Sequence, residues 1–202
     1  MSCDCNRLGT LSWPRPIGAA LETEIHVNVL TELHIRPAED KDAEALIAYM
    51  HRLTSEPHNN ITLDPGQWTM TVEEERAFLA KRNVDPNKGI FAVATVGHEL
   101  VGIGQLDRGA KPTIRHAATL GISVDAAWRR RGIATALMTY LLTWAREHDL
   151  VRIELKVLTR NAGAIQLYRK FGFAEEGRHP KACCKQGVWV DDLTMGLILP
   201  PT

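Results

Sequence analysis

The side chains of this 202-residue chain best suited to chemistry lie in its second half. The run Arg129-Arg130-Arg131-Gly132-Ile133-Ala134-Thr135 follows a strand-like stretch, Leu120 to Val124. It precedes an apolar stripe at the helical period, formed by Ile133, Leu137, Leu141 and Trp144. A strand that turns tightly into a helix aims several free backbone N–H groups at one point, and the helix dipole adds partial positive charge there. Such a point suits an anion, most often a phosphate. Gly132 lets the backbone approach a ligand with no Cβ between, and Ala134 keeps the next turn slim. The same run also reads as a solvated basic segment at a helix start.

A second segment bears on that choice. Val151 to Leu158 alternates apolar and charged residues, as a strand with one buried face does. Asn161, Ala164 and Tyr168 follow at spacings that share one face of an α-helix, and Gly172 stands where that helix would stop. A lone tyrosine on such a face is also a common core residue with a satisfied hydroxyl. An asparagine in line with it, facing the same way as the phosphate turn, is harder to explain as packing.

Together the two segments resemble the GNAT superfamily of acetyl-CoA-dependent N-acetyltransferases. The family pattern Arg/Gln-x-x-Gly-x-Gly/Ala is met by Arg129, Gly132 and Ala134. Its later Asn-x-x-Ala-x-x-Leu-Tyr-x-x-x-Gly-Phe is met by Asn161, Ala164, Leu167, Tyr168, Gly172 and Phe173. The resemblance spans roughly residues 33–199 and implies an α/β (α+β) fold: a mixed, mostly antiparallel sheet with a central splay and helices on both faces. It leaves residues 1–32 as an arm or extension without an assigned role.

The resemblance also implies roles. The main chains of Ile122 and Val124 would pair with the pantetheine arm of acetyl-CoA as a strand would. The pyrophosphate would sit on N–H groups near Arg130, Arg131, Gly132, Ile133, Ala134 and Thr135, with the arginines, Arg129 included, adding attraction. Asn161 would hydrogen-bond the pantetheine amide beside Ala164. Tyr168 would protonate the departing thiolate, and Val124 N–H would face the developing oxyanion. The ribosomal-protein alanine acetyltransferases carry a base Glu on the strand before the Asn helix, where this chain has Lys156. Glu154 on the same strand and His116 at the head of the preceding one are substitutes for that base, and a water chain is the alternative. His58, Asp64 and Trp68 in the long early loop are candidates for lining the acceptor pocket.

The readings that follow are an N-acetyltransferase for a small primary amine, a protein N-terminal acetyltransferase, or a non-catalytic acetyl-CoA sensor. Asn161 with Tyr168 favours the enzyme, because a pure CoA binder has little use for a tyrosine at the sulfur. A formal net charge of +0 argues against nucleic-acid or membrane-surface binding. No secretory signal pattern is evident, so the cytoplasm is the expectation. Cys3, Cys5, Cys183 and Cys184 fit no usual zinc spacing and read as free thiols. Edge strands in such folds can pair two copies into a homodimer.

The elements that must position these residues follow the order β-α-α-β-β-β-α-β-α-β-β. Residues 39–54 read as a helix through Ala43, Leu46, Ile47, Met50 and Leu53. Thr71 with Glu74 gives a capping box for a second helix through Arg82. After Phe173 the pattern predicts a short strand, Ala174–Arg178, and a last one through Leu193 to Leu199.

Overall fold

The computed structural model describes residues 32–57 and 59–200. The arm expected over residues 1–32 falls outside them, apart from Glu32, and so do Cys3, Cys5 and His58. The elements are β1 (Leu33–Pro37), α1 (Ala43–Ser55), α2 (Val72–Arg82), β2 (Gly89–Val96), β3 (Glu99–Arg108), β4 (Ala117–Val124), α3 (Ile133–Glu147), β5 (Arg152–Leu158), α4 (Ala162–Lys170), β6 (Ala174–Lys185) and β7 (Val188–Ile198). The order matches the sequence expectation. One difference is the length of β6, which runs on to Lys185. Its bulges near Glu175/Gly177 and His179/Cys183 break the two-residue alternation that would have revealed it. Cys183 and Cys184 lie on it as free thiols.

All seven strands form one sheet, ordered β1-β2-β3-β4-β5-β7-β6. Every neighbouring pair is antiparallel except β4 with β5. Alternation along β2 assigns the two faces. Phe91 and Val93 pack into a core with Leu46, Tyr49, Met50 and Leu53 of α1 and Leu79 of α2. Ile90 and Ala92 point the other way, into a core shared by Met138, Leu141 and Leu142 of α3 and Ile165 and Tyr168 of α4. Gly104 allows α3 its approach to β3, since a Cβ there would stand 2.9 Å from Leu141 Cδ1.

The parallel pair is short. β4 and β5 match only at Ala117↔Arg152, Ala118↔Ile153 and Thr119↔Glu154. Beyond Thr119 the two strands part, although β4 stays paired with β3 as far as Val124 and β5 with β7 as far as Leu158. This is the central splay. The hydrogen bond from Asp125 N–H to the Val101 carbonyl, 2.9 Å, sets the phase of the ladder. Odd-numbered residues of β4 turn their backbone groups to β3, and the even-numbered Ile122 and Val124 turn theirs into the splay, where no strand lies opposite.

α2 opens as the sequence predicts: Thr71 Oγ1 accepts from Glu74 N–H (3.2 Å), and Glu74 Oε2 accepts from Thr71 N–H (2.9 Å). One turn in, Glu75 is buried, and its Oε2 has no hydrogen-bond partner among the described residues. Burial pushes its carboxyl above the ordinary value of 4.5. The folded state therefore holds this proton to higher pH than the unfolded chain, so stability falls as pH rises above 4.5. Glu75→Gln is expected to gain about 1 kcal/mol at pH 7. Urea melts should show that gain disappearing at pH 4, and an equal gain at both pH values would contradict the assignment.

Candidate active site

Both helices that follow the splayed strands begin at its open end. Between β4 and α3 the chain makes a short turn in which Asp125 Oδ1 accepts from Ala127 N–H (3.0 Å). Arg130 (φ 64°) and Gly132 (φ 84°) adopt left-handed backbone on either side of Arg131. Alternating handedness of this kind turns successive N–H groups toward a common concavity. α3 then starts with Gly132 as its N-cap and no side chain capping it. The Gly132 carbonyl accepts from Ala136 N–H (3.0 Å), so the N–H groups of Ile133, Ala134 and Thr135 are left without intrahelical partners. No carboxylate stands in this first turn to claim them.

α1 holds the turn in place. Arg52 Nε donates to Asp125 Oδ2 (2.7 Å), and Arg129 Nη2 donates to Glu56 Oε2 (2.5 Å). Arg129 Nε donates to the Val124 carbonyl (2.9 Å). The Arg129 side chain is thus tied to β4 and the end of α1. Arg131 lies over the Trp128 ring, 5.0 Å from guanidinium carbon to centroid, and is not among the residues lining the cleft. Of the three arginines expected to add attraction to a phosphate held on backbone N–H groups, Arg129 and Arg130 line the cleft and Arg131 does not. Arg129 and Arg131 have structural partners, the first on β4 and at the end of α1, the second on Trp128.

Across the splay, Asn161 is the N-cap of α4, outside the helical face that the spacing suggested. Its Oδ1 accepts from Ala164 N–H (3.2 Å). An asparagine ahead of Ala-Gly-Ala is a strong N-cap candidate, and that signal was present in the sequence. Among the described residues its side-chain NH2 group has no hydrogen-bond partner, and Asn161 lines the cleft. Tyr168 is buried, with its ring tilted against Phe173 at 5.8 Å between centroids. Its hydroxyl has no partner among the described residues, and burial pushes its pKa up to about 12.

These parts enclose one cleft of about 560 Å³. It brings together Ile122, Val124, Arg129, Arg130, Gly132, Ile133, Ala134, Thr135, Asn161, Ala164 and Tyr168. Leu53 of α1 and Asn60 and Ile61 of the following loop close it from the α1 side, with Ser123 beside them. Two other expected residues stand apart from it. Ile153 and Leu155 share the core with Tyr168, so Glu154 between them points to the opposite side of β5. There it lies 3.5 Å from Arg152. The His116 carbonyl accepts from Val151 and Arg152 N–H at 2.8 and 3.2 Å, which puts this residue at the closed end, where β4 and β5 are paired. Neither group shares the cleft with Tyr168. Among the described residues, those lining the cleft include no carboxylate and no imidazole.

The early loop is fastened to the sheet by contacts that no local pattern announces. Lys185 at the end of β6 is buried, and its Nζ donates to Asn59 Oδ1 (3.1 Å) and the Leu63 carbonyl (2.6 Å) and lies 2.7 Å from Asp64 Oδ1. Arg160 Nη2 donates to the Asn59 carbonyl (2.6 Å) and its Nε to Asn60 Oδ1 (3.2 Å). Asp64 therefore anchors the wall of the cleft from behind, and Trp68 packs on the α1–α2 core. Neither is a lining residue. Among the described residues no group of side chains could hold a metal ion, and no helix is long and apolar enough to cross a membrane.

Comparison with known proteins matches this architecture. Residues 47–173 fit the Acetyltransferase (GNAT) family. The chain is 31% identical over 174 residues to an L-amino acid N-acetyltransferase, AaaT, of Escherichia coli (strain K12), covering 84% of this chain and 99% of that protein. A GNAT-family acetyltransferase from Streptococcus pneumoniae superposes with a TM-score of 0.78 at 29% identity, over 84% of this chain and all of that one (100%). The yncA protein of Salmonella typhimurium, solved with its cofactor acetyl-CoA, shares the fold with a TM-score of 0.73 at 20% identity, over 84% and 95% of the two chains. The chain belongs to the GNAT family and is an acyltransferase that uses acetyl-CoA.

Proposed function

We propose that the protein transfers the acetyl group of acetyl-CoA to the primary amine of a small molecule, with a free L-amino acid as acceptor, by direct attack within a ternary complex. The observation that carries this reading is the bared edge of β4 lying in one cleft with the open N-terminus of α3 and the hydroxyl of Tyr168. Ile122 and Val124 offer main-chain groups to the pantetheine arm, whose amides pair with a strand edge as peptide does. Backbone N–H groups from Gly132 to Thr135 receive the pyrophosphate, and Arg130, on the cleft wall, adds positive charge. Asn161 holds the arm from the α4 side with its NH2 group, and Ala164 leaves room for it.

The amine nitrogen bonds to the thioester carbon while Val124 N–H donates to the carbonyl oxygen. The carbon–sulfur bond then breaks with its electron pair on sulfur, and Tyr168 gives its proton to the thiolate. Burial pushes the Tyr168 pKa up to about 12, so it keeps its proton at neutral and mildly alkaline pH and is available as the acid. The proton lost by the amine passes to water, since no carboxylate or imidazole lines the described part of the cleft, and Tyr168 regains its proton from water. Alignment of the two substrates supplies much of the acceleration.

The amino-acid acceptor is supported by the Escherichia coli relative, which aligns over nearly its whole length. The test is thiol release from acetyl-CoA across a panel of free L-amino acids, polyamines, aminoglycosides and short peptides. Turnover with free amino acids supports the reading. Turnover with peptide N-termini alone would replace it by protein N-terminal acetylation, and tight acetyl-CoA binding with no turnover would favour a sensor.

A further inference from the structure

Tyr49 stands in the middle of α1, fully buried, and its hydroxyl has one partner among the described residues: Ser123 Oγ at 2.8 Å. Each hydroxyl carries one hydrogen, and the distance alone does not say which donates. Burial decides it. Were Ser123 the donor, the phenolic hydrogen would be left in the core with nothing to meet, at a cost of about 1–3 kcal/mol. Ser123 lines the cleft, where its own hydrogen can meet solvent or a ligand. Tyr49 is therefore the donor and Ser123 Oγ the acceptor, which turns the Ser123 hydrogen toward the cleft. Burial also raises the pKa of Tyr49, so it keeps that hydrogen at all working pH values. A hydroxyl that already accepts a hydrogen bond is the stronger donor for it.

The position of Ser123 gives this donor a target. It lies between Ile122 and Val124 on the bared edge of β4, one peptide bond from Val124 N–H. It stands opposite Ile103, which packs on the α1–α2 core, so its side chain faces α1. Val124 N–H projects from the edge of the strand and the Ser123 hydroxyl from its α1 face, and both residues line the cleft.

We propose that the Ser123 hydroxyl is a second donor to the thioester carbonyl oxygen, acting with Val124 N–H and held in that role by Tyr49. As the amine nitrogen bonds to the carbon, the carbonyl π pair moves onto oxygen, and Ser123 stabilises that charge by a hydrogen bond while keeping its proton. When the oxyanion collapses, the carbonyl re-forms and the thiolate leaves to be protonated by Tyr168. The proposal rests on the acetyl-transfer reading above, and its test separates the two.

Infrared spectra of carbon-13-labelled acetyl-CoA bound to the protein, with no acceptor present, report the hydrogen bonds to the carbonyl directly. In Ser123→Ala the carbonyl stretch should move to higher frequency than in the wild type, with acetyl-CoA affinity falling by less than about 10-fold. Ser123→Thr, which keeps the hydroxyl, should restore the lower frequency. In turnover, Ser123→Ala should lower kcat about 100-fold. Tyr49→Phe should cost less alone, and add nothing to Ser123→Ala. An unmoved carbonyl band in Ser123→Ala overturns the proposal whatever acceptor the enzyme uses. Failure of every acceptor in the panel would overturn the amino-acid reading and leave the band shift to decide this one.

Discussion

Tyr168→Phe is expected to lower kcat by about 10²-fold or more while acetyl-CoA binds as tightly as before. The substitution removes one oxygen from a ring that is otherwise packed against Phe173. That oxygen has no partner among the described residues, so its loss opens no hydrogen bond in the fold. Thermal stability should be unchanged or slightly higher, which separates loss of the acid from loss of structure. The pH profile adds a second check. The rate should rise with pH as the amine loses its proton, and the rise should not reverse before about pH 10, because burial pushes Tyr168 up to about 12. A descending limb near pH 8, or a Phe variant with wild-type kcat at saturating substrates, would remove Tyr168 from the proton's path. Calorimetric titration with acetyl-CoA and initial rates on the same samples are the measurements.

Gly132→Val should act in the opposite way, on cofactor binding more than on the chemical step. Gly132 combines a left-handed backbone, φ 84°, with a place on the wall of the cleft at the start of α3. A β-branched residue there costs about 1–2 kcal/mol in backbone strain. It also sets side-chain bulk before the N–H groups of Ile133, Ala134 and Thr135. The expected result is a rise of about 100-fold in KM for acetyl-CoA, since 2.8 kcal/mol of lost binding is about that factor. The kcat at saturation should change much less. Gly132→Ala, with the same backbone demand and a smaller side chain, should fall between the two. Circular dichroism on both variants shows whether α3 remains, and unaltered acetyl-CoA affinity in a folded Gly132→Val protein would refute the phosphate-turn assignment.

The part of the site built by local rules was legible in the sequence. A strand-like run, a glycine turn and a 3.6-residue apolar stripe placed β4, the turn and α3, because each follows from backbone sterics and periodicity over a few residues. The Thr71–Glu74 box placed the start of α2 for the same reason. What escaped was set by contacts distant in sequence. Glu56, far back on the end of α1, takes the guanidinium of Arg129, and nothing near the arginine run announces it. Tyr49 and Ser123 are 74 positions apart, and Tyr49 fell outside the stripe read from Ala43 to Leu53 even though it is fully buried. Lys185 reaches the early loop from the end of a strand whose bulges hid its length.

The general base shows a different limit. Glu154 lies on the expected strand, and the alternation that marked the strand already put it on the face away from Ile153 and Leu155. The sequence did not say which face α4 would cover. Once Tyr168 packs with those two leucine and isoleucine side chains, Glu154 is directed elsewhere. His116 failed because a splayed pair of strands has an open and a closed end, and position along β4 decides between them.

Direct transfer requires acetyl-CoA and the amine to occupy the cleft together. Initial velocities measured over a grid of acetyl-CoA and acceptor concentrations, with thiol and N-acetylated product counted together, test it most directly. Direct transfer should give intersecting double-reciprocal lines, one thiol released for each acetylated amine, and no acetyl group left on the protein. Parallel lines, with an acetyl group trapped on Cys183 or Cys184 when acceptor is withheld, would contradict it.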